Sequence, residues 1–256
     1  MYDVTKLVNK KVLRELIRRL PTPKQKNRGR KRVIKEALLS GILQVLINGV
    51  AWGKIADCGC GYVSCWRYFH ELQRRGKLKL IYEILAREKT DIIEGAIDTT
   101  TATSFRFARM TGWDGKHKKI GTKISIFSDK NGLPADVAFG RGSRHDTKFL
   151  SGHIKKTALR RKRLINLDKG YTSLDFRREM RRKGTMINMQ TRVGDYIAKR
   201  GPKFRFDELK YQTRFLVEKL VGHLKNFWRI RIRRDRLPAM YKAFVYLGLI
   251  IILLRY

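Results

Sequence analysis

Acidic residues are scarce in this chain of 256 residues. Only 22 aspartates and glutamates oppose 59 lysines and arginines, which leaves a formal net charge of +37. Such an excess repels itself unless a polyanion is the working partner, and nucleic acid is the leading candidate. The cations are spread through the sequence and form no single cluster beside an apolar segment, which disfavours an anionic membrane surface as the partner.

Cysteine is also scarce, with Cys58, Cys60 and Cys65 as the three in the chain. A small, odd number disfavours a disulfide framework and indicates a reducing compartment. With His70 the spacing is C-x-C-x4-C-x4-H, and three thiolates with one imidazole are a tetrahedral zinc set. The spacing lacks the C-x2-C pair of a zinc knuckle. We therefore expect three reduced, partly buried cysteines, with zinc as the alternative.

Long hydrophobic runs are missing. The longest, at 243–254, holds 12 residues, whereas a helix that crosses a bilayer needs about 20. We expect a buried C-terminal helix there and no membrane association. The N-terminus has no basic segment followed by an apolar one, so nothing indicates secretion.

The first 90 residues have helical patterns. A helix is predicted over 3–20, where Pro21 and Pro23 end it. A basic connector at 24–32 leads to a second helix over 33–48, and a further helix is predicted over 77–89. We assign 1–90 to an all-α, helix-turn-helix-like domain and 91–256 to a second domain.

The segment around the cysteines resembles a helix-turn-helix. A short first element at 53–57 is followed by a turn with Gly59 and Gly61, and by a helix from Val63. One face of that helix is apolar, and the opposite face is cationic. The cationic face carries Arg67, His70 and Arg74. We expect these three to contact DNA in the major groove; the alternative is a packing module with a solvated basic face.

The pattern changes after residue 91. Buried or alternating strands are predicted at 92–98, 123–128, 133–139, 164–168 and 185–189, with helices at 144–161 and 174–183 and a last helix from 211. This β-β-β-α-β-α-β-α order is that of the α/β ribonuclease-H-like fold. The first and fourth strands are neighbours in that fold, so the acids that end them, Asp98 and Asp168, are expected to converge.

The last helix carries a third acid, Glu218. At 100° per residue an apolar stripe runs along this helix for packing on the core. Four other side chains share a sector about 60° wide beside that stripe. They are Tyr211, Arg214, Glu218 and Lys225. An ordinary amphipathic helix with an Arg214–Glu218 pair at i,i+4 is the alternative interpretation.

The same four residues match the spacing Y-x2-R-x3-E-x6-K, and with it the chain resembles the DDE transposases of the insertion-sequence-five group, within the insertion-sequence-four superfamily. Residues 29–78 resemble that family's end-binding helical domain. The three cysteines are not typical of it. Further matching motifs are Ile97-Asp98-Thr99-Thr100, Gly121-Thr122-Lys123, Gly142-Ser143-Arg144-His145-Asp146 and Asp168-Lys169-Gly170-Tyr171.

The resemblance implies metal-dependent cleavage and strand transfer of insertion-sequence ends. Asp98, Asp168 and Glu218 are then the catalytic ligands of two Mg²⁺ or Mn²⁺ ions. The resemblance also implies that DNA is contacted by Lys123, Tyr211, Arg214 and Lys225.

The implied partners are double-stranded transposon ends and target DNA, with a homodimer in the end-paired complex and a location in the prokaryotic cytosol, at the nucleoid. A nuclease of the same fold and a non-catalytic DNA-binding regulator or decayed copy are the alternatives.

Overall fold

The computed structural model describes residues 8–23, 31–104, 109–156, 163–171, 174–190 and 206–256. Its helices are α1 (Lys10–Arg19), α2 (Lys35–Asn48), α3 (Tyr62–Arg74), α4 (Lys77–Lys89), α5 (Thr147–Lys156), α6 (Leu174–Arg182), α7 (Glu208–Tyr211), α8 (Arg214–Lys225), α9 (Trp228–Arg231) and α10 (Pro238–Arg255). Its strands are β1 (Glu94–Ser104), β2 (Gly112–Asp114), β3 (Lys119–Asp129), β4 (Pro134–Arg141), β5 (Arg163–Asn166), β6 (Thr185–Asn188) and β7 (Ile232–Arg233).

The described strands form one seven-stranded sheet with the path β2-β3-β1-β5-β6. Strand β3 is antiparallel to both β1 and β4, whereas β5 is parallel to β1 and to β6. Residues 94–96 of β1 pair with 164–166 of β5. The predicted first and fourth strands are therefore neighbours, and the strand order fits the ribonuclease-H-like fold.

The two faces of the sheet are covered by different helices. Ile97 and Phe127 pack with side chains of α5 and α6 in one core cluster. Ile124 and Ile126 face the other way, towards α8, α10 and the N-terminal helices. Since side chains alternate along a strand, Asp98 points to the face opposite that of Ile97. Helix α8, which packs on β1 and β3, covers that face.

Helix α10 is the centre of the larger core. Its residues pack with those of α1 to α4 and of α8, and the ring of Phe244 stacks on Phe69 at 4.2 Å. By length and composition its 18 residues would also span a membrane, but 72% of it is buried inside the protein. The prediction of a buried C-terminal helix is confirmed. The domain boundary at residue 90 stays a prediction.

Several element bounds differ from the predictions. Helix α1 begins at Lys10, because the Asn9 side chain accepts from the Val12 amide at 2.9 Å and caps the helix. Parts of the predicted first helix, of the basic connector and of the predicted helix at 144–161 lie outside the described ranges, namely residues 3–7, 24–30 and 157–161. The predicted first helix-turn-helix element is only a single 3-10 turn, Trp52–Lys54. Strand β2 was not predicted, because three residues are too few to carry a pattern.

The single helix predicted from residue 211 is wrong at its start. Helix α7 ends at Tyr211 and α8 begins at Arg214. The cause is tertiary: the Asn166 amide, at the end of β5, donates to the Lys210 carbonyl at 3.0 Å and to Thr213 Oγ1 at 2.8 Å. Within α8 the apolar stripe is confirmed, with Val217, Leu220, Val221 and Leu224 buried, but Trp228 beyond it is 39% exposed.

Candidate active site

Asp98 is in the middle of β1, on the face that α8 covers. Burial raises the pKa of its carboxyl group. The positive charges of Arg214 and Lys116 act to lower that pKa, and the negative charge of Glu218 acts to raise it. The carboxylate of Asp98 is therefore close enough to all three side chains to be affected by their charges.

Asp168 lies two residues beyond the end of β5, the strand that runs parallel to β1. Its Oδ1 accepts from the Lys169 amide at 2.7 Å, which fixes the carboxylate. Its Oδ2 lies 3.7 Å from the Lys116 ammonium and 4.0 Å from Arg214 Nη2. The fold thus brings Asp168 to the same side of the sheet as the charges that act on Asp98.

Glu218 reaches the site from α8 through Arg214, one turn earlier on the same helix. Arg214 Nη1 donates to Glu218 Oε1 at 2.7 Å. The guanidinium therefore bridges Asp168 and Glu218. Within the described ranges, the oxygens of Asp98, Asp168 and Glu218 do not all lie within 4.8 Å of one another. Arg214 and Lys116 provide the positive charge at this group of acids.

The other two residues of the Y-x2-R-x3-E-x6-K pattern border the site. Burial raises the pKa of Tyr211, and the nearby carboxylates of Asp168 and Glu218 raise it further. Lys225 is exposed at the end of α8. Although much of its side chain is exposed, partial desolvation of the Lys225 ammonium lowers its pKa, as does the charge of Lys119, whereas Asp98 acts to raise it.

Lys123 has a different environment from the one predicted. Its side chain is only 8% exposed, and its ammonium donates to Asp146 Oδ1 at 2.7 Å and to the Arg144 carbonyl at 2.9 Å. This placement fits a residue that holds the loop before α5. At the start of α5, His145 Nδ1 lies 2.8 Å from Thr147 Oγ1 and 3.4 Å from the Thr147 amide nitrogen.

Sequence reasoning missed the hairpin that carries Lys116. Asp114, at the end of β2, is buried and accepts from Thr101 and from His117, the latter at 2.9 Å. Burial alone would raise the pKa of Asp114, but these hydrogen bonds lower it to about 2. The hairpin is thereby tied to β1, and Lys116 reaches Asp168. The one signal in the sequence was the Asp114-Gly115 turn.

A chain of buried hydrogen bonds runs on the reverse face of β1. His153 lies 2.7 Å from Asp136 Oδ2 through Nδ1 and 3.0 Å from Ser125 Oγ through Nε2. Ser125 contacts Thr99 at 3.2 Å, and Thr99 lies 3.1 Å from the hydroxyl of Tyr171. This chain connects β1, next to Asp98, with the turn that follows Asp168.

The three cations predicted on α3 border one groove of about 330 Å³. The helix buries the apolar face that was predicted, from Cys65 to Leu72. Arg67 and Arg74 are exposed, and the ring of His70 packs on Trp66 at 5.1 Å. The groove is lined by Arg32, Trp66, Arg67, His70, Glu71 and Arg74.

The strand order fits the class of ribonuclease-H-like domains, here with two aspartates and a helix glutamate on one side of the sheet. Carboxylate oxygens are hard ligands of the kind that Mg²⁺ and Mn²⁺ prefer. The residues present therefore fit a divalent ion.

The chain belongs to the transposase DDE domain family, which it matches over residues 89–254. It is 37% identical over 92 residues to an insertion element IS402 uncharacterized 16.2 kDa protein of Burkholderia cepacia, an alignment that covers 32% of this chain and 63% of that protein. It is 31% identical over 137 residues to a putative transposase for insertion sequence element IS402 of the same organism, covering 50% of this chain and 60% of the relative.

Thus the chain matches less than two thirds of either relative's length. Among solved structures it is similar to the piggyBac transposase in a synaptic complex with hairpin DNA, with a TM-score of 0.50 and 12% identity, covering 98% of this chain and 70% of that one. At this identity the likeness concerns the fold alone.

Proposed function

We propose that this chain is a DNA transposase of the insertion-sequence-five group, which cleaves insertion-sequence ends and joins them to target DNA. The observation that supports this most strongly is the bridge from Asp168 through Arg214 to Glu218, above a β1 strand that presents Asp98. A non-catalytic binding protein has no use for three acids at such places in so basic a chain.

Asp98, Asp168 and Glu218 are proposed to be the residues that would hold two divalent ions. When bound, the ions activate the attacking oxygen and stabilise the leaving 3′-oxygen. Burial raises the pKa of the Asp98 carboxyl group, which works against the ionised form that a metal ligand needs. The charges of Arg214 and Lys116 favour the ionised form.

The basic side chains around the acids are proposed to hold the DNA. Arg214 and Lys225 are placed to bind flanking phosphates, and Tyr211 to contact the strand near the cut. The proposed role of Lys123 is indirect, because its ammonium holds the loop that carries Arg144 and Asp146. Arg67, His70 and Arg74 bind the terminal inverted repeat from α3, and two copies of the chain pair two ends in the prokaryotic cytosol.

The experiment combines purified protein with a duplex from the ends of its own element and a supercoiled target, with Mg²⁺ or Mn²⁺. A transposase produces cut ends and joined products, both dependent on the ion. Cut DNA without joining supports the alternative of a same-fold nuclease. Binding with neither product supports the alternative of a regulator or decayed copy, and overturns the proposal.

A further inference from the structure

The thiols of Cys58, Cys60 and Cys65 converge although they come from a loop and a helix. The sulfur atoms of Cys58 and Cys60 are 3.8 Å apart, those of Cys60 and Cys65 are 3.3 Å apart, and all three lie within 4.8 Å of one another. A zinc ion with tetrahedral bonds of about 2.3 Å to sulfur sets its ligands about 3.8 Å apart. The three sulfurs are thus spaced much like three corners of such a site.

The backbone around the cysteines holds them in this arrangement. Gly59 adopts a φ of +76°, which a side chain at that position would disfavour, and it turns the loop so that Cys58 and Cys60 lie on the same side. Gln44 of α2 fixes the loop with two bonds to Ala56, at 2.6 and 3.2 Å. The loop is therefore held onto α2 by contacts that do not involve the sulfurs.

Helix α2 also leaves room for the sulfurs. A Cβ atom added at Gly41 would lie 2.6 Å from the sulfur of Cys65 and 3.4 Å from that of Cys58. Any larger residue at position 41 would displace the thiols. Because Gly41 has no side chain, the sulfurs of the loop cysteines and of Cys65 on α3 can meet beside α2.

Simple apolar packing of three cysteines explains these contacts less well. Cys60 is only partly buried, and it borders a cavity of about 710 Å³ together with the cations Lys31, Arg32 and Arg67. Burial raises the pKa of Cys60 and of Cys65, so both remain thiols until a metal displaces their protons.

We propose that Cys58, Cys60 and Cys65 form a three-thiolate site for a thiophilic divalent cation of the zinc class, with the fourth ligand entering from the cavity beside Cys60. His70, the fourth ligand that the sequence spacing suggested, packs on Trp66 and is not among the ligand atoms that converge within the described ranges. The bound ion ties the loop of Cys58 and Cys60 to α3, the helix that carries Cys65 and Arg67.

The test uses the full chain, stripped of metal under reducing conditions and titrated with Zn²⁺ or Co²⁺. We expect equimolar uptake, thiolate-to-cobalt charge-transfer absorption with the strong visible bands of a tetrahedral site, and protection of all three thiols from a thiol reagent in the presence of Zn²⁺. Ions held by the carboxylates near Asp98 give no charge-transfer absorption, so the two sites are distinguishable.

Cys60→Ser is the informative variant, because this residue is partly exposed and its loss leaves the buried Cys58 and Cys65 in place. It should weaken Zn²⁺ binding at least tenfold and reduce the charge-transfer absorption, whereas Ser151→Ala, at an exposed position on α5, should change neither. Binding of equal strength in wild type and Cys60→Ser overturns the proposal. So does formation of a Cys60–Cys65 disulfide without any uptake of metal by the reduced chain.

Discussion

Arg214 is the residue on which the charge balance of the candidate site depends. Its guanidinium bridges Asp168 and Glu218, and its charge opposes the burial that raises the pKa of Asp98. A cation in this place reduces the repulsion among carboxylates that lie near one another, as a bound metal ion also does. Arg214 and a divalent ion therefore have overlapping effects on the stability of the folded chain.

Arg214→Ala should lower the thermal midpoint of the protein without metal, because the acids then repel one another. Saturating Mg²⁺ should recover most of that loss, since the ion replaces the missing charge. Differential scanning calorimetry with and without Mg²⁺ measures both effects. Arg18→Ala, which removes one exposed pair with Glu15, serves as the control and should show no such recovery. A midpoint of Arg214→Ala that is insensitive to Mg²⁺ contradicts this account.

Asp98 should weaken the folded state at neutral pH. Its pKa is raised by burial, so the folded state binds the proton more tightly than the unfolded state, and stability falls as pH rises through the interval above about 3.9. Asp98→Asn should therefore raise the thermal midpoint without metal at pH 7, and the gain should vanish as the pH approaches 4.

Asp129 provides the matched control for this prediction. Burial raises its pKa as well, but its carboxylate accepts from the amides of Leu133, Asn131 and Asp91 at 2.8 to 3.0 Å. Asp129→Asn should lower stability, because the Asn side chain keeps one oxygen for the Leu133 and Asn131 amides while its nitrogen cannot accept from the Asp91 amide. If Asp98→Asn and Asp129→Asn change the thermal midpoint in the same direction, the buried charge of Asp98 is not the cause of the change in Asp98→Asn.

Helix α3 is the element whose sequence pattern and structure agree best. Its apolar face repeats at the helical period, so the burial of Tyr68 and Phe69 and the exposure of Arg67 and Arg74 were predictable. The acids were predictable in part. Asp168 follows an apolar strand and Glu218 lies on an amphipathic helix, but β1, predicted to end at Asp98, continues to Ser104, so Asp98 lies within the strand.

Other features depend on contacts distant in sequence. The break between α7 and α8 is caused by Asn166, 44 positions before Lys210. Lys116 reaches Asp168 only because the β2–β3 hairpin folds onto β1. The convergence of the three thiols needs the positive φ of Gly59 and the missing side chain of Gly41. No local pattern encodes these arrangements.

If α3 reads the terminal inverted repeat, Arg67→Ala should weaken binding to the cognate end by about 1–3 kcal/mol, and by less to random DNA. Fluorescence anisotropy with both duplexes at one salt concentration measures the difference. Arg18→Ala on α1 removes the same charge from another surface and is expected to affect both duplexes equally. Equal losses for Arg67→Ala on both duplexes would mean that this residue contacts only phosphates.

On the scale of the whole molecule, the net charge of +37 predicts how binding responds to salt. If six to ten cations neutralise phosphates, affinity should fall by about 10³–10⁵ between 50 and 200 mM salt for any DNA sequence. The single-turnover cleavage rate at saturating DNA should change little, because bulk ions screen a partly desolvated site poorly. Affinity that does not change with salt would contradict the inference that the net charge serves to bind DNA. A cleavage rate that falls together with affinity would mean that assembly of the protein–DNA complex limits cleavage.

The central claim is that Asp98, Asp168 and Glu218 together hold the ions that cleave DNA. The most direct measurement compares cleavage and end binding for Asp98→Asn, Asp168→Asn and Glu218→Gln on one duplex with Mg²⁺. Each change removes a charge but preserves the shape of the side chain. Glu179→Gln, which alters an exposed acid on α6 paired with Lys183, is the matched control.

The account predicts that each of the three variants loses cleavage by about 10²-fold or more, the effect of removing one preorganised electrostatic group from an active site. All three should bind the end within about twofold of wild type, since the proposed DNA-reading face is on α3, and Glu179→Gln should cleave normally. Retention of most Mg²⁺-dependent cleavage by any one of the three would contradict the assignment at that position.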